Sequence, residues 1–214
     1  MISKLDIWEL LSKHNIKSRE LADLSTNGKL PFNDIELIFS ELEKTTPLND
    51  KKLLDIGCSD FRVSLYALMH GMQVTAIEKD AELSGEVGKI FDEAIGKYPD
   101  LKELFNFIPN TNVLDIEWKD YDVVIFYYTE PNYLSSQYVD GTIEVWEKHL
   151  GGKIGELKPG AIVIFIFIDA RIKRERLISP EDPISVKFPM LKSSLPDIIT
   201  SNNRYVRIKI MGKA

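Results

Sequence analysis

The fold is decided by the stretch LLDIGCSDFR at residues 53–62, which is followed by VTAIEKD at residues 74–80. The first stretch predicts an apolar strand that runs into a glycine turn and a helix. The second predicts another short strand that ends in an acid, Glu78, 23 residues after Asp55. In nucleotide-binding α/β proteins such an acid accepts hydrogen bonds from ribose hydroxyls, while the turn faces an anionic group. The two stretches therefore predict a nucleotide-type cofactor site.

The glycine turn is unsuited to a pyrophosphate. A pyrophosphate loop has three glycines, the second of which lets the backbone approach the phosphates closely. Gly57 occupies the first position, but Ser59 and Phe61 stand where further glycines are expected. NAD and FAD are therefore disfavoured. S-adenosyl-L-methionine suits the turn better, because it carries a small amino-acid end in place of a pyrophosphate.

Around this pair of stretches, short apolar strands alternate with helices. The predicted strands cover residues 51–56, 73–78, 105–108, 122–127, 161–168, 184–188 and 205–211, and the predicted helices cover residues 61–70, 81–98 and 143–150. Continuous apolar runs flanked by helices indicate a parallel sheet covered on both faces. We predict an α/β fold with a doubly wound, seven-stranded, mostly parallel sheet. Polar residues alternate with apolar ones in the last segment, which predicts a half-exposed edge strand.

A short helical N-terminal addition precedes this alternation. Residues 3–13 predict an amphipathic helix whose apolar side is formed by Leu5, Ile7, Trp8 and Leu11. A second helix is predicted to start at a capping box made by Asn33 and Glu36. We predict one domain over residues 1–214, with the addition at 1–48, a cofactor-binding core at 49–169 and two final strands within 170–214.

Composition excludes several classes of protein. The chain has 214 residues, of which 44% are hydrophobic and 28% charged, as in ordinary globular domains. The longest apolar run has eight residues, from 161 to 168, whereas a membrane span needs about 20. No signal peptide is visible, and the single cysteine fits a reducing compartment, so we expect a cytoplasmic protein without membrane association. The three histidines lie far apart, so no metal site is expected.

Charge is divided unevenly along the chain, which has a net charge of −6. Residues 1–168 hold 17 basic and 28 acidic residues, whereas residues 169–214 hold ten and five. An acidic body disfavours nucleic acid as a partner, because phosphate contacts need clustered cations. The basic segment 171–176 is either a solvated loop or a contact for an acidic acceptor. Nothing in the sequence indicates an oligomeric state.

Four ordered motifs resemble those of the class I, seven-strand S-adenosylmethionine-dependent methyltransferases. They are Asp55-Ile56-Gly57-Cys58-Ser59, the acid Glu78, Asp120-Tyr121-Asp122-Val123-Val124-Ile125 and Leu157-Lys158-Pro159-Gly160-Ala161. The resemblance covers residues 49–168 and implies S-adenosyl-L-methionine as the cofactor. It implies that Gly57 and Ser59 line its methionine portion, that Asp55 contacts its amino group and that Glu78 holds the ribose. Asn112, with Asp115 as the alternative, is the expected adenine contact.

A closer resemblance concerns the methyl acceptor. Residues 57–62 are similar to the Gly-x-Gly-Asp-Gly-Arg loop of the archaeal and mitochondrial-type seven-strand protein lysine methyltransferases, and Asp60 and Arg62 match it. A local surface ion pair between these two side chains, opening a helix, is the equally weighted alternative. The resemblance implies an amine acceptor, with protein lysine favoured.

The segment after the fourth predicted strand is expected to border the transferred methyl, because ligands of open α/β sheets lie beyond the carboxyl ends of strands. Tyr128 is expected to face the sulfonium, since ring faces attract cations. Glu130 is expected to orient a lysine ammonium or to accept a proton through water. A small-molecule or RNA acceptor stays open, and so does a non-catalytic protein that binds the cofactor or its product. An NAD-dependent oxidoreductase is the weakest alternative.

Overall fold

The computed structural model describes residues 2–14, 30, 32–127, 143–169, 189–193, 198–200 and 205–214. Their contacts group the chain into two compact units, residues 1–112 and 113–214. Within the described residues, no helix combines the length and the apolar character that a bilayer span requires.

The first unit is built on three parallel strands. These are β1 (Lys52–Ile56), β2 (Gln73–Ile77) and β3 (Phe105–Ile108), and β2 lies between the other two. The register pairs Ile56 with Ile77, so β1 and β2 end side by side. Gly57 and Glu78 are the next residues on the two strands. The residues predicted to bind a cofactor therefore leave the sheet at one edge.

Four helices complete this unit: α1 (Lys4–Lys13), α2 (Phe32–Thr45), α3 (Arg62–Met69) and α4 (Ala81–Lys97). Helix α1 begins with a capping box, in which the Ser3 hydroxyl accepts from the backbone of Asp6 and the Asp6 carboxylate accepts from the backbone of Ser3. Helix α4 begins at Asp80, whose carboxylate accepts from the Leu83 N–H. Helices α1 and α4 thus start where a side chain replaces a missing backbone partner.

The predicted apolar face of α1 is right for Ile7 and Leu11 but wrong for Leu5 and Trp8. Leu5 and Trp8 are 79% and 54% exposed, whereas Ile7, Leu10 and Leu11 are buried. The buried residues follow the i, i+3, i+4 spacing that turns one face of the helix towards α3 and α4. Leu5 and Trp8 share a face of their own, so apolar spacing alone could not select the packed side.

The predicted start of α2 is also wrong. The helix begins at Phe32, which places Asn33 inside its first turn. The Glu36 carboxylate lies 2.8 Å from the Lys4 ammonium on α1. The acid predicted to close a capping box therefore links the first two helices.

The second unit contains β4 (Val123–Tyr127), α5 (Ile143–Glu156), β5 (Ile162–Asp169), β6 (Leu191–Ser193), β7 (Ile198–Thr200) and β8 (Tyr205–Lys213). Strand β4 is parallel to β5, and β8 is antiparallel to β5. The last strand was predicted at an edge, but β8 also pairs with β6 and β7 on its other side. The alternation of polar and apolar residues along a strand does not show whether other short strands pair with it. The predicted strand at 184–188 lies outside the described residues.

Candidate cofactor site

The loop after β1 keeps a glycine-like backbone although two of its expected glycines are absent. Gly57, Ser59 and Phe61 have φ angles of 70°, 50° and 60°, all in the left-handed region. A residue with a Cβ atom loses about 1–2 kcal/mol in this conformation. Ser59 and Phe61 therefore adopt a backbone conformation that favours glycine, and surrounding contacts must hold it.

Aromatic packing holds one of these positions. The Phe61 side chain is fully buried against Phe105 and Phe107, with ring centroids 5.1 and 4.9 Å away in edge-to-face geometry. Phe91 of α4 lies 6.4 Å from the same ring. Edge-to-face pairs contribute about 0.5–1.5 kcal/mol each beyond burial. The cluster thus offsets the backbone strain at Phe61.

Asp60, which lies between the two strained residues, forms a buried ion pair with Arg62. Asp60 is 1% exposed, and its two carboxylate oxygens accept from Nε and Nη2 of Arg62 at 2.9 and 2.6 Å. The fork of the guanidinium matches both oxygens at once. The local ion pair is therefore present, but it is buried and does not lie on the surface as predicted.

Gly57 faces open space. A Cβ added to this residue would meet no atom within 4 Å. The N–H groups of Gly57 and Cys58 both donate to the Ile77 carbonyl, at 3.0 and 3.1 Å. Because Gly57 has no side chain, this side of the loop has room for a ligand. The N–H groups of Gly57 and Cys58 are already used in hydrogen bonds to β2.

Asp55 is buried at the end of β1, where it is 1% exposed. Its Oδ2 atom accepts a 2.6 Å hydrogen bond from the hydroxyl of Ser64 on α3. Burial raises the pKa of Asp55 to about 7, and the neighbouring Glu78 charge adds to the rise. The carboxylate is therefore poised to ionise when a cation approaches.

Glu78 follows β2 and is 8% exposed. Its Oε1 atom accepts from the backbone N–H groups of Lys79 and Asp80 at 2.9 and 3.1 Å. Burial raises the pKa of Glu78, while N–H donors from Asp80, Ser59 and Lys79 oppose the rise. Because Asp80 caps α4, Glu78 is not needed for that purpose.

The edge is strongly acidic. Asp55, Asp60 and Glu78 are all buried, and each of the other two raises the pKa of Asp55. Among the described residues, Arg62 forms an ion pair with Asp60, and neither Asp55 nor Glu78 takes part in one. Desolvated carboxylates repel an anion and attract a cation. The electrostatics therefore disfavour a pyrophosphate.

Cys58 lies in the same loop and is buried. Burial raises the pKa of its thiol well above the ordinary value, and the Asp55 and Glu78 charges act in the same direction. The thiolate is the nucleophilic form of cysteine. At neutral pH this side chain is therefore a packed thiol.

Asn112 directly follows a residue whose backbone is hydrogen-bonded to that of Glu78. The N–H of Thr111 donates to the Glu78 carbonyl at 2.9 Å, and the N–H of Asn110 donates to the Ser84 hydroxyl at 3.1 Å. These bonds bring the segment after β3 beside the end of β2. Asp115, the alternative adenine contact, lies in a short 3₁₀ helix of the second unit.

The remaining predicted residues lie outside this description. Tyr128 and Glu130, expected beside the methyl acceptor, are outside the described residues, and so is the basic segment 171–176.

Sequence reasoning missed Ser64 as the partner of Asp55. The signal was available, since Ser64 is a small hydroxyl residue in the apolar helix RVSLYALM and a buried hydroxyl needs a partner.

Comparisons with known proteins identify the family. The family described as tellurite resistance protein TehB matches residues 33–152, which is more than half of the chain. A search of curated proteins finds no match.

Solved structures show the same fold at low identity. Magnesium protoporphyrin IX methyltransferase (ChlM) from Synechocystis PCC 6803 with bound SAM is 13% identical, with 100% of both chains covered and a TM-score of 0.62. A putative O-methyltransferase from Klebsiella pneumoniae is 11% identical, with 97% of this chain and 88% of that chain covered and a TM-score of 0.59. The RNA methyltransferase from Salinibacter ruber in complex with S-adenosyl-L-homocysteine is 18% identical, with 87% and 95% covered and a TM-score of 0.53.

These findings confirm the predicted class I, Rossmann-like methyltransferase fold. Two of the three structures contain S-adenosylmethionine or its demethylated product. The chain belongs to the TehB family.

Proposed function

We propose that this protein is an S-adenosyl-L-methionine-dependent methyltransferase that binds its cofactor at the shared edge of β1 and β2. The observation that carries the proposal is the pair of buried carboxylates, Asp55 and Glu78, at the ends of adjacent parallel strands. The methionine end of the cofactor carries an ammonium, and its sulfur is a sulfonium. A site with uncompensated buried carboxylates gains most from such a cation.

Each predicted residue takes a distinct part in holding the cofactor. Asp55 pairs with the ammonium, and Glu78 accepts hydrogen bonds from the ribose hydroxyls. Gly57 and Ser59 lie along the methionine portion, where the missing Cβ of Gly57 leaves room. Asn112 contacts the adenine, since its neighbour Thr111 is bonded to the Glu78 backbone.

The bound cofactor supplies an electrophilic methyl group, so the protein mainly has to align the acceptor with it. Alignment alone converts a bimolecular reaction into an effectively unimolecular one. An amine acceptor must lose its proton before it attacks, and a free lysine has a pKa of about 10.4. We propose that Glu130 would take that proton through water or orient the ammonium, and that Tyr128 would face the sulfonium; both residues lie outside the described ones.

For the acceptor we propose an amine, with protein lysine favoured by the loop resemblance at Asp60 and Arg62. A small-molecule acceptor is the second candidate, and the family description supports it, because tellurite resistance refers to a small inorganic species. Transfer of a labelled methyl group to lysine peptides, small amines, tellurite and RNA, each offered separately, distinguishes them.

The cofactor is tested by isothermal titration of the wild-type protein with S-adenosylmethionine, S-adenosylhomocysteine and NADH. We expect micromolar binding of the first two, no binding of NADH, and loss of binding in Glu78→Gln. The matched control is Glu86→Gln, the same chemical change at an exposed position of α4, which should bind as the wild type does. A folded wild-type protein that binds neither sulfur ligand would overturn the proposal.

Turnover separates the enzyme from a binding protein. Labelled methyl on any acceptor, lost in Glu78→Gln and kept in Glu86→Gln, establishes the transferase. Tight binding with no transfer across the whole panel would instead favour a protein that retains the cofactor without catalysis.

A further inference from the structure

Arg62 joins two parts of the chain that lie 32 residues apart. On one side, Nε and Nη2 hold the Asp60 carboxylate in the cofactor loop. On the other side, Nη1 donates to the Leu30 carbonyl at 2.8 Å. One guanidinium therefore connects the loop to the segment that leads into α2.

The same guanidinium also contacts an aromatic stack. Its central carbon lies 5.1 Å from the centroid of the Phe32 ring, and that ring stacks on Trp8 of α1 at 5.3 Å. A cation over a ring face is attracted by the ring quadrupole. The contact thus extends from the cofactor loop to the first helix of the N-terminal addition.

The loop needs an external support because two of its residues lack the conformational freedom of glycine. Asp60 lies between Ser59 and Phe61, the two residues of the loop that are left-handed and carry side chains. A carboxylate held at both oxygens fixes the residue between them, and the Arg62 N–H also approaches its Oδ1 atom at 3.4 Å. Arginine suits this position, since a lysine ammonium offers no planar fork.

We propose that Arg62 is a positioning residue that holds the loop at residues 57–61 in its cofactor-facing conformation and couples it to the N-terminal addition at Leu30 and Phe32. The coupling to the cofactor rests on the proposed function, whereas the coupling between the two segments does not. Because linkage is reciprocal, a change at Phe32 weakens cofactor binding, and a bound cofactor protects the start of α2.

Hydrogen exchange of the free protein tests the link between the segments. In Arg62→Lys we expect faster exchange both in residues 57–66 and at the start of α2. In Phe32→Leu, which leaves the loop sequence intact, we expect faster exchange in residues 57–66 as well. The control is Lys4→Met, which breaks the ion pair between α1 and α2 without touching Arg62 and should leave the loop unchanged.

Cofactor affinity and a rescue test the positioning role. Arg62→Lys and Phe32→Leu should each raise the dissociation constant of S-adenosylhomocysteine by about tenfold. Adding Ser59→Gly to Arg62→Lys should recover part of the affinity, because glycine adopts the left-handed conformation without strain, yet it should not restore protection at α2. A purely structural role of Arg62 would give no such selective rescue.

The outcomes separate the two proposals. Unchanged exchange of the loop in Phe32→Leu would overturn the coupling, whatever ligand the protein binds. Suppose that the variants show the expected changes in hydrogen exchange but the wild-type protein does not bind S-adenosylhomocysteine. The cofactor proposal would then be wrong, and the coupling between the two segments would stand. Wild-type affinity in a folded Arg62→Lys would contradict the positioning role.

Discussion

Two regions of the first unit differ in whether their charged side chains are paired. On the surface between α1 and α4, Lys13 lies 3.0 Å from Glu93, and Lys97 lies 3.1 Å from Glu9. These side chains are partly exposed, and each charge has a partner. At the edge of β1 and β2, by contrast, Asp55 and Glu78 are buried and take part in no ion pair among the described residues.

Backbone strain follows the same division. Helix α1 begins with a complete capping box and ends at His14 in an extended conformation. The loop at the sheet edge instead contains Ser59 and Phe61 in the left-handed region. Strained backbone and unmatched buried charge persist where the surrounding structure over-determines them, and they cluster at functional sites. The contrast favours the edge as the place where a ligand completes the structure.

The largest expected effect comes from removing what offsets the strain. Phe61→Gly relieves the backbone at this position but empties the aromatic cluster, and we expect the free energy of unfolding to fall by about 3–5 kcal/mol. Ser59→Gly makes the same replacement at a position outside the cluster and should raise stability by about 0.5 kcal/mol. Urea denaturation measures the free energy of unfolding of both variants. If both variants gained stability, or both lost it, this account of the loop would be contradicted.

Asp55→Asn should strengthen the fold and weaken the site. Asparagine keeps an oxygen for the Ser64 hydroxyl but removes a buried charge, so at pH 8 the variant should gain roughly 2 kcal/mol of unfolding free energy. Without that charge the ammonium of the ligand loses its partner, and affinity for S-adenosylhomocysteine should fall by about 30-fold or more.

Thermal denaturation and isothermal titration at pH 8 measure these two quantities in one preparation. Ser64→Ala is the companion variant: it keeps the carboxylate and removes only its hydrogen bond, so it should lose both stability and affinity. Parallel losses in Asp55→Asn would show that the carboxylate is a structural group only.

Much of this edge is predictable from sequence because it follows from strand periodicity. Two apolar strands and their parallel pairing suffice to place Gly57 beside Glu78, and both stretches are visible at residues 53–62 and 74–80. The left-handed Ser59 and Phe61 are not predictable in this way. Phe61 packs against rings from α4 and β3, which are distant in sequence.

Other errors have a similar origin. The packed face of α1 depends on which side meets α3 and α4, and both apolar sides of the helix fit the local pattern. Besides β5, β8 pairs with two strands of three residues each, which are too short to leave a periodic signal. The roles of Tyr128 and Glu130 stay predictions.

The titration of Asp55 gives the next effect in size. Its folded pKa of about 7 exceeds the unfolded value of about 3.9, so the folded state keeps its proton longer as pH rises. The contribution of Asp55 to stability is therefore present below pH 4 and is lost between pH 4 and 7. Ligand affinity should move the opposite way, falling by up to about tenfold per pH unit below 7, since the ammonium needs the ionised form.

Titration calorimetry and denaturation at pH 5.5, 6.5 and 7.5 test both slopes. Differences between the wild type and Asp55→Asn isolate this group, because other carboxylates titrate in both proteins. A pH-independent affinity in the wild type would mean that Asp55 does not meet the cation.

The smallest effect is expected on the surface between α1 and α4, where the charges are paired. A small effect there would confirm that this surface differs from the carboxylates at the ends of β1 and β2. Lys13→Met removes the partner of Glu93, but the two side chains are 50% and 33% exposed, and His14 remains 2.8 Å from the same carboxylate. Exposed ion pairs contribute under about 1 kcal/mol and are screened by salt. We therefore expect a loss of about 0.3 kcal/mol in unfolding free energy at low salt, no measurable loss in 1 M sodium chloride, and unchanged affinity for S-adenosylhomocysteine. A loss of affinity in this variant would show that the charge pattern of α1 and α4 also serves the ligand, and the division between the two regions would then be wrong.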